Sequence, residues 1–215
     1  MNNIISNFLY IGSGIAISLE LLLGGIIIGA VLGTLLSILR YKGICRSAIN
    51  GFVSFIRGTP LILQLSVVYF VVPSFIGVKL GIISTGVIAF GINSSAYVAE
   101  IFRGGINSVP KGQFEAARSL EIPSYYMWKD IILPQVFINI FPAFVNEIVA
   151  LLKETSLIVT IGGMDIMRKS QIIAAEQYEY FIPLCIAGIY YYCLVLLIEF
   201  IGRKIEQRKL SIKNL

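Results

Sequence analysis

Residues 11–39 read IGSGIAISLELLLGGIIIGAVLGTLLSIL, with a single ionisable side chain, Glu20. A helix rises 1.5 Å per residue and bilayer hydrocarbon is about 30 Å thick, so roughly 20 apolar residues cross it. This stretch is long enough with residues to spare. It is too long for the apolar core of a secretory signal and has no basic segment before it, while Arg40 and Lys42 follow it as a stop-transfer flank. Four further stretches have spanning length. Residues 58–78, 80–99 and 180–198 carry no charge, and residues 131–152 carry only Glu147. The expected fold is therefore all-α: a polytopic membrane protein of five transmembrane helices, forming a single transmembrane domain over residues 1–215.

Composition agrees. Hydrophobic residues make up 57% and charged residues 13%, with mean hydropathy +0.85. A soluble domain uses about 25% charged residues to cover its surface. The chain has no histidine, which excludes His-based proton relays and most metal sites. Cys45, Cys185 and Cys193 form no CxxC pair. No internal repeat, linker or second domain is visible.

The basic residues set an expected orientation. Arg40, Lys42, Arg46 and Arg57 lie between spans one and two, and Arg103, Lys111, Arg118 and Lys129 between three and four. Arg203, Lys204, Arg208, Lys209 and Lys213 follow span five. Only Lys79, Lys153, Arg168 and Lys169 lie on the other side, so the division is thirteen against four. The positive-inside rule puts the larger group in the cytoplasm, with the N-terminus outside and the C-terminus inside.

Within the spans, Thr59-Pro60 is expected to loosen or kink the start of span two, and Pro142 to interrupt span four. Residues 156–163 (SLIVTIGG) are apolar but too short to cross. They either dip into the membrane or pack on the outer surface.

One cytoplasmic loop stands out, residues 106–130, INSVPKGQFEAARSLEIPSYYMWKD. Pro110 suits the first turn of a helix on which Phe114, Ala117 and Leu120 share a face. Ile122-Pro123 stops it, and Ser124 is placed to cap a second short helix carrying Tyr125, Met127 and Trp128. On pattern alone this is a bent helical pair, and an amphipathic segment lying on lipid headgroups has the same pattern.

Glu115-Ala116-Ala117, followed at fixed distance by Ile131-x-Leu133-Pro134, resembles the EAA loop of ABC-transporter membrane subunits. Glu121 stands where that family has glycine, which implies a bend without positive φ or a local strain. Residues 55–60 (FIRGTP) leading to Gln64, residues 95–100 (SAYVAE) with Arg103-Gly104-Gly105, residues 110–113 (PKGQ) and residues 152–157 (LKETSL) are similar to the polar amino acid uptake branch. The resemblance runs from about residue 12 to 205.

That resemblance implies a bacterial inner-membrane permease subunit of an ATP-driven importer. Phe114, Glu115, Ala116, Ala117, Leu120 and Glu121 would seat on a pair of cytoplasmic ATPases, which bind the ATP and Mg. This chain has no G-x-x-x-x-G-K-[ST] loop and is expected to hold no cofactor and to act as no enzyme. The other implied partners are a second membrane subunit, identical or similar, an extracytoplasmic substrate-binding protein, the amino acid itself and membrane lipid. Nucleic acid is not among them.

An ionisable group at the bilayer centre costs about 2.5–3.5 kcal/mol by insertion scales, so it usually faces protein or a cavity. Asn93, Tyr97 and Glu100 fall on one face of span three, and Glu147, Leu151 and Glu154 on one face of span four. With Gln64 these polar residues are the candidate substrate site. The carboxylates would meet a cationic group of a polar, cationic amino acid. Asparagine and tyrosine also serve as interhelical hydrogen-bonding glue, and that reading stays open. At 1.5 Å per residue, Glu100 and Glu154 stand about 20 Å apart in depth. Glu20 is open between packing and function, and Glu199 pairs with Arg203 one turn on. Two other classes compete: an ion-coupled secondary transporter, which usually shows paired halves, and a membrane anchor subunit, which needs no polar faces inside its spans.

Overall fold

The computed structural model describes the backbone of residues 2–213 and the side chains of residues 4–207. Arg208, Lys209 and Lys213 therefore lie outside the described side chains. The described chain is helical with no strand: α1 (Asn2–Gly12), α2 (Ile15–Tyr41), α3 (Arg46–Gly58), α4 (Leu61–Ser66), α5 (Val72–Ile76), α6 (Ile82–Asn107), α7 (Lys111–Ser119), α8 (Ser124–Tyr126), α9 (Leu133–Glu154), α10 (Ile166–Gln177) and α11 (Phe181–Lys213).

Four helical stretches have spanning length and hydropathy: Ile4–Tyr41, Ile82–Asn107, Ser124–Ile161 and Phe181–Gln207. The second expected span differs. Pro60 does not loosen a helix but ends one, because Thr59 and Pro60 are both extended. α3 and the following helix Leu61–Ile76 meet at 103°. A π-helical turn at Val67–Val71 then joins α4 to α5, with Pro73 in the first turn of α5. Counting that bent pair as one span gives five.

Pro142 departs from expectation in the opposite direction. α9 runs through it unbroken, as neighbouring helices and local adjustments allow for proline in a membrane helix. Residues 156–163 do not cross, and they turn partly into the bundle, leaving Thr160 and Gly162 exposed. Thr155–Ile161 forms a 3₁₀ turn that sends Ile158 into the centre of the bundle, fully buried beside Leu21, Phe90 and Leu151.

The tightest packing in the bundle is between α2 and α6. Gly25, Gly29 and Gly33 recur every fourth residue on one buried stripe of α2. A methyl group on Gly29 would stand 2.6 Å from Ser94 Cβ, and one on Gly33 2.6 Å from Val98 Cβ, so two backbones meet where no side chain fits. The opposite stripe of α2 (Leu23, Ile27, Val31, Leu35, Ile38) is exposed. Hydrocarbon is the solvent that such a stripe fits.

α3 carries Ile49, Val53 and Ile56 on one face and lays them on Ala96 and Ala99 of α6. At the end opposite the basic loops, α1 and α10 close over α11 through Ile11, Ile166, Ile173 and Ile186. There Asp165 caps α10, accepting the Arg168 N–H at 2.8 Å and the Tyr191 hydroxyl at 2.8 Å. Burial raises its carboxyl above the usual carboxylate value.

Candidate translocation path and coupling loop

Gln64 and Asn93, 29 positions apart, meet directly. Asn93 Nδ2 donates to Gln64 Oε1 at 3.0 Å. Gln64 is there because the bend at Pro60 leaves the end of α3 unpaired: Gln64 Nε2 donates to the Ile56 carbonyl at 2.8 Å and to Thr59 Oγ1 at 2.9 Å. Asn93 is buried on α6. Gln64 therefore satisfies the broken helix end, and Asn93 ties α6 to it, a hydrogen bond between helices of the kind the glue reading describes.

Glu147 is half-buried on α9 and accepts a 2.7 Å hydrogen bond from Ser94 Oγ of α6. Glu154 lies two turns further along α9, half-buried, roughly 10 Å away along the axis. Neither forms an ion pair among the described residues; the nearby charges acting on Glu154 are Glu147 and its chain neighbour Lys153.

Glu100 is built differently. Its carboxylate meets Arg40 of α2 at 2.5 Å, Arg103 of its own helix at 2.8 Å and Arg57 of α3 at 3.4 Å. Its side chain is 16% exposed. Tyr97, one turn before it, lies under Arg57, whose guanidinium carbon is 5.3 Å from the ring centroid. The four charged residues form one electrostatic knot joining three helices, with positive charge in excess. Since Ser94 faces Glu147, and Glu100 lies six residues beyond Ser94, Glu100 and Glu154 stand on the order of 20 Å apart along the bundle. Glu20 is exposed on α2, outside this arrangement.

The loop of residues 106–130 shares a small core with the start of α9. Val109, Ala117, Met127, Ile132, Val136 and Ile140 are buried together, and Phe114 packs against them and against Trp128, ring centroids 5.9 Å apart. Of the residues expected to dock, Glu115, Ala116, Leu120 and Glu121 face outward, Leu120 with 73% of its surface open, while Ala117 points inward and Phe114 is half-buried. Ser124 is not a cap: it is the first residue of α8, with Pro123 before it and no side-chain cap bond.

The bend itself is a left-handed helix stop. Glu121 has φ +55°, its N–H donating to the Arg118 carbonyl and the Ile122 N–H to the Ala117 carbonyl, both at 3.0 Å. Those paired bonds define a motif whose left-handed position favours glycine. A bend without positive φ is thus excluded, and the strain is present.

Residues 25–211 match the model of the family described as binding-protein-dependent transport system inner membrane component. The chain belongs to that family. It is 46% identical over 202 residues, 93% of each chain, to a Rickettsia typhi protein named as a glutamine transport system permease, GlnP. It is 44% identical, over 93% of this chain and 92% of the other, to the arginine transport system permease protein ArtQ of Bacillus subtilis. A crystal structure of an amino acid ABC transporter with histidines matches with TM-score 0.88 and 34% identity, covering 96% of this chain and 97% of that one. The MetNI methionine transporter shares the fold at TM-score 0.72 and 18% identity.

The protein is thus an amino acid ABC transporter permease, a multi-pass inner-membrane transport component and not an enzyme. A permease of this importer class works with an ATPase and a substrate-binding protein. Three residues central to the permease's geometry were not singled out from sequence as site residues: Ser94, Arg40 and Arg57. Arg103, three residues after Glu100 on the same helix, was the one ion-pair partner whose spacing could have been read directly.

Proposed function

We propose that the permease forms half of a translocation path for a polar amino acid, with Glu147 and Glu154 on α9 facing the substrate and ATP hydrolysis in a partner ATPase driving the cycle. The observation that carries this reading is the contrast between carboxylates. Glu100 is surrounded by three arginines, whereas Glu147 and Glu154 have no ion-pair partner among the described residues. An unpaired carboxylate retained inside a membrane protein needs a reason, and a substrate ammonium or guanidinium supplies one. Cationic amino acids fit two carboxylates best. Of the relatives, one is named for transport of arginine, a cation, and another for glutamine, which is neutral.

In this reading Gln64 and Asn93 hold the wall of the path, and Tyr97 and Glu100 hold its basic end. Glu115, Ala116, Leu120 and Glu121 seat on the ATPase, with Phe114 and Ala117 supporting them from below. A second membrane subunit of the same or similar sequence completes the path within a single transmembrane domain of this chain. The basic end, with the loop of residues 106–130, faces the cytoplasm, so the N-terminus is outside.

The test is ATP hydrolysis by the reconstituted complex, with and without binding protein and amino acid. Leu120→Asp should abolish the stimulation while the complex remains folded. Stimulation that persists with Leu120→Asp removes the loop from the coupling step.

A further inference from the structure

Two cavities meet at the basic end of the bundle, away from the stretch of the path assigned to Glu147 and Glu154; the first borders the ion pairs of Glu100. The first, of about 410 Å³, gathers three guanidinium groups, those of Arg40, Arg46 and Arg103, beside Asn107. The second, of about 340 Å³, is lined almost wholly by carbon, with Ile38, Phe102, Trp128 and Phe137 around it. Both are bordered by Ser37, Tyr41 and Ile106, so they are adjoining compartments of one surface.

The charge in the first compartment is not compensated. Arg40 and Arg103 share a single carboxylate, Glu100, which Arg57 also uses, and Arg46 makes no ion pair among the described residues. The carbon compartment opens beside Ile38 and Phe137, each about half exposed, on the surface where α2 shows its apolar stripe. A cluster of cations thus adjoins a hydrocarbon-compatible slot at the level where the apolar helices meet their basic flanks.

We propose that these compartments bind one anionic phospholipid, its phosphate among Arg40, Arg46 and Arg103 and an acyl chain in the carbon-lined slot. Planar guanidinium groups match phosphate oxygens in pairs, and basic pockets between spans at the polar boundary are suited to anionic headgroups. A free phosphate ion would leave the carbon compartment to water. A zwitterionic lipid would bring its ammonium group toward the arginines. The lipid would bridge α2, α3, α6 and α9, and would hold the base of the coupling loop through Trp128.

The test uses the assembled transporter purified in detergent, read by native mass spectrometry and thermal unfolding, with phosphatidylglycerol, phosphatidylcholine or glycerol phosphate added. Phosphatidylglycerol should remain bound and raise the unfolding temperature, and the other two should not. Arg46→Gln removes a cation with no ion-pair partner among the described residues and should weaken retention about five-fold. Ile38→Trp fills the slot with every arginine intact, and should weaken retention as well. Equal retention of both lipids, retention unchanged in both variants, or equal stabilisation by glycerol phosphate (a site for the phosphate ion only) overturns the proposal. So does the absence of any retained lipid, which would mean that a partner subunit covers both compartments.

Discussion

Arg40 Nη1 lies 2.5 Å from Glu100 Oε1, an ion pair that ties α2 to α6 across 60 positions of sequence. Arg57 and Arg103 converge on the same carboxylate, so Glu100 is the common counter-charge of three helices and has little charge left to offer a substrate.

Glu100→Gln should therefore act through structure. Removing the shared counter-charge leaves three guanidinium groups facing one another, at a cost of roughly 1–3 kcal/mol. Thermal unfolding of the purified complex should drop, and uptake of arginine and glutamine should fall by the same factor. A loss confined to arginine, with unchanged stability, would return Glu100 to the substrate path.

Glu121 in the left-handed region predicts a gain from a single replacement. Glu121→Gly relieves a conformation costing about 1–2 kcal/mol, partly offset by the glycine's greater freedom when unfolded, for a net stabilisation of roughly 0.5–1 kcal/mol. Glu121→Val should lower stability. Unfolding temperatures in the reverse order would mean that the bend is not left-handed.

Both predictions concern features that the sequence revealed unevenly. The apolar stretches and the prolines at 110 and 123 were legible because span length and proline chemistry are local properties. The α3 helix was missed although Ile49, Val53 and Ile56 carry the spacing of a helical face, since Arg46 and Arg57 at its two ends made the segment read as a polar loop. The partners of Glu100 were invisible for a different reason. Arg40 and Arg57 reach it from separate helices, and that convergence exists only once α2 and α3 have packed on α6. Ala117 shows the same limit: it shares a helical face with Leu120 in sequence, but the fold buries one and exposes the other.

The glycine stripe of α2 gives a packing test. Gly33→Ala places a methyl group 2.6 Å from Val98 Cβ and 2.7 Å from the Ser95 carbonyl, so the helices must part at a cost of about 1–3 kcal/mol. Gly51→Ala on α3 meets no atom within 4 Å and should stabilise by about 0.5–1 kcal/mol. Opposite signs in thermal unfolding are expected, and equal effects would contradict the close α2–α6 contact.

At the other end of the bundle, Asp165→Ala removes an N-cap and leaves the Tyr191 hydroxyl without its acceptor. The expected loss is about 1–2 kcal/mol, whereas Asp165→Asn, which can still cap, should lose less than half of that. Equal losses in thermal unfolding would show that the charge, not the cap, matters there.

The assignment of substrate recognition to α9 is tested most directly by uptake into proteoliposomes holding the complete transporter, comparing arginine, lysine and glutamine for Glu147→Gln, Glu154→Gln and wild type. Loss of a charge-assisted hydrogen bond, worth about 1.5–3 kcal/mol, should weaken apparent affinity for arginine and lysine roughly ten- to a hundred-fold and leave glutamine within a few-fold of wild type. Uniform losses for all three amino acids, or none, would contradict charge recognition by these carboxylates.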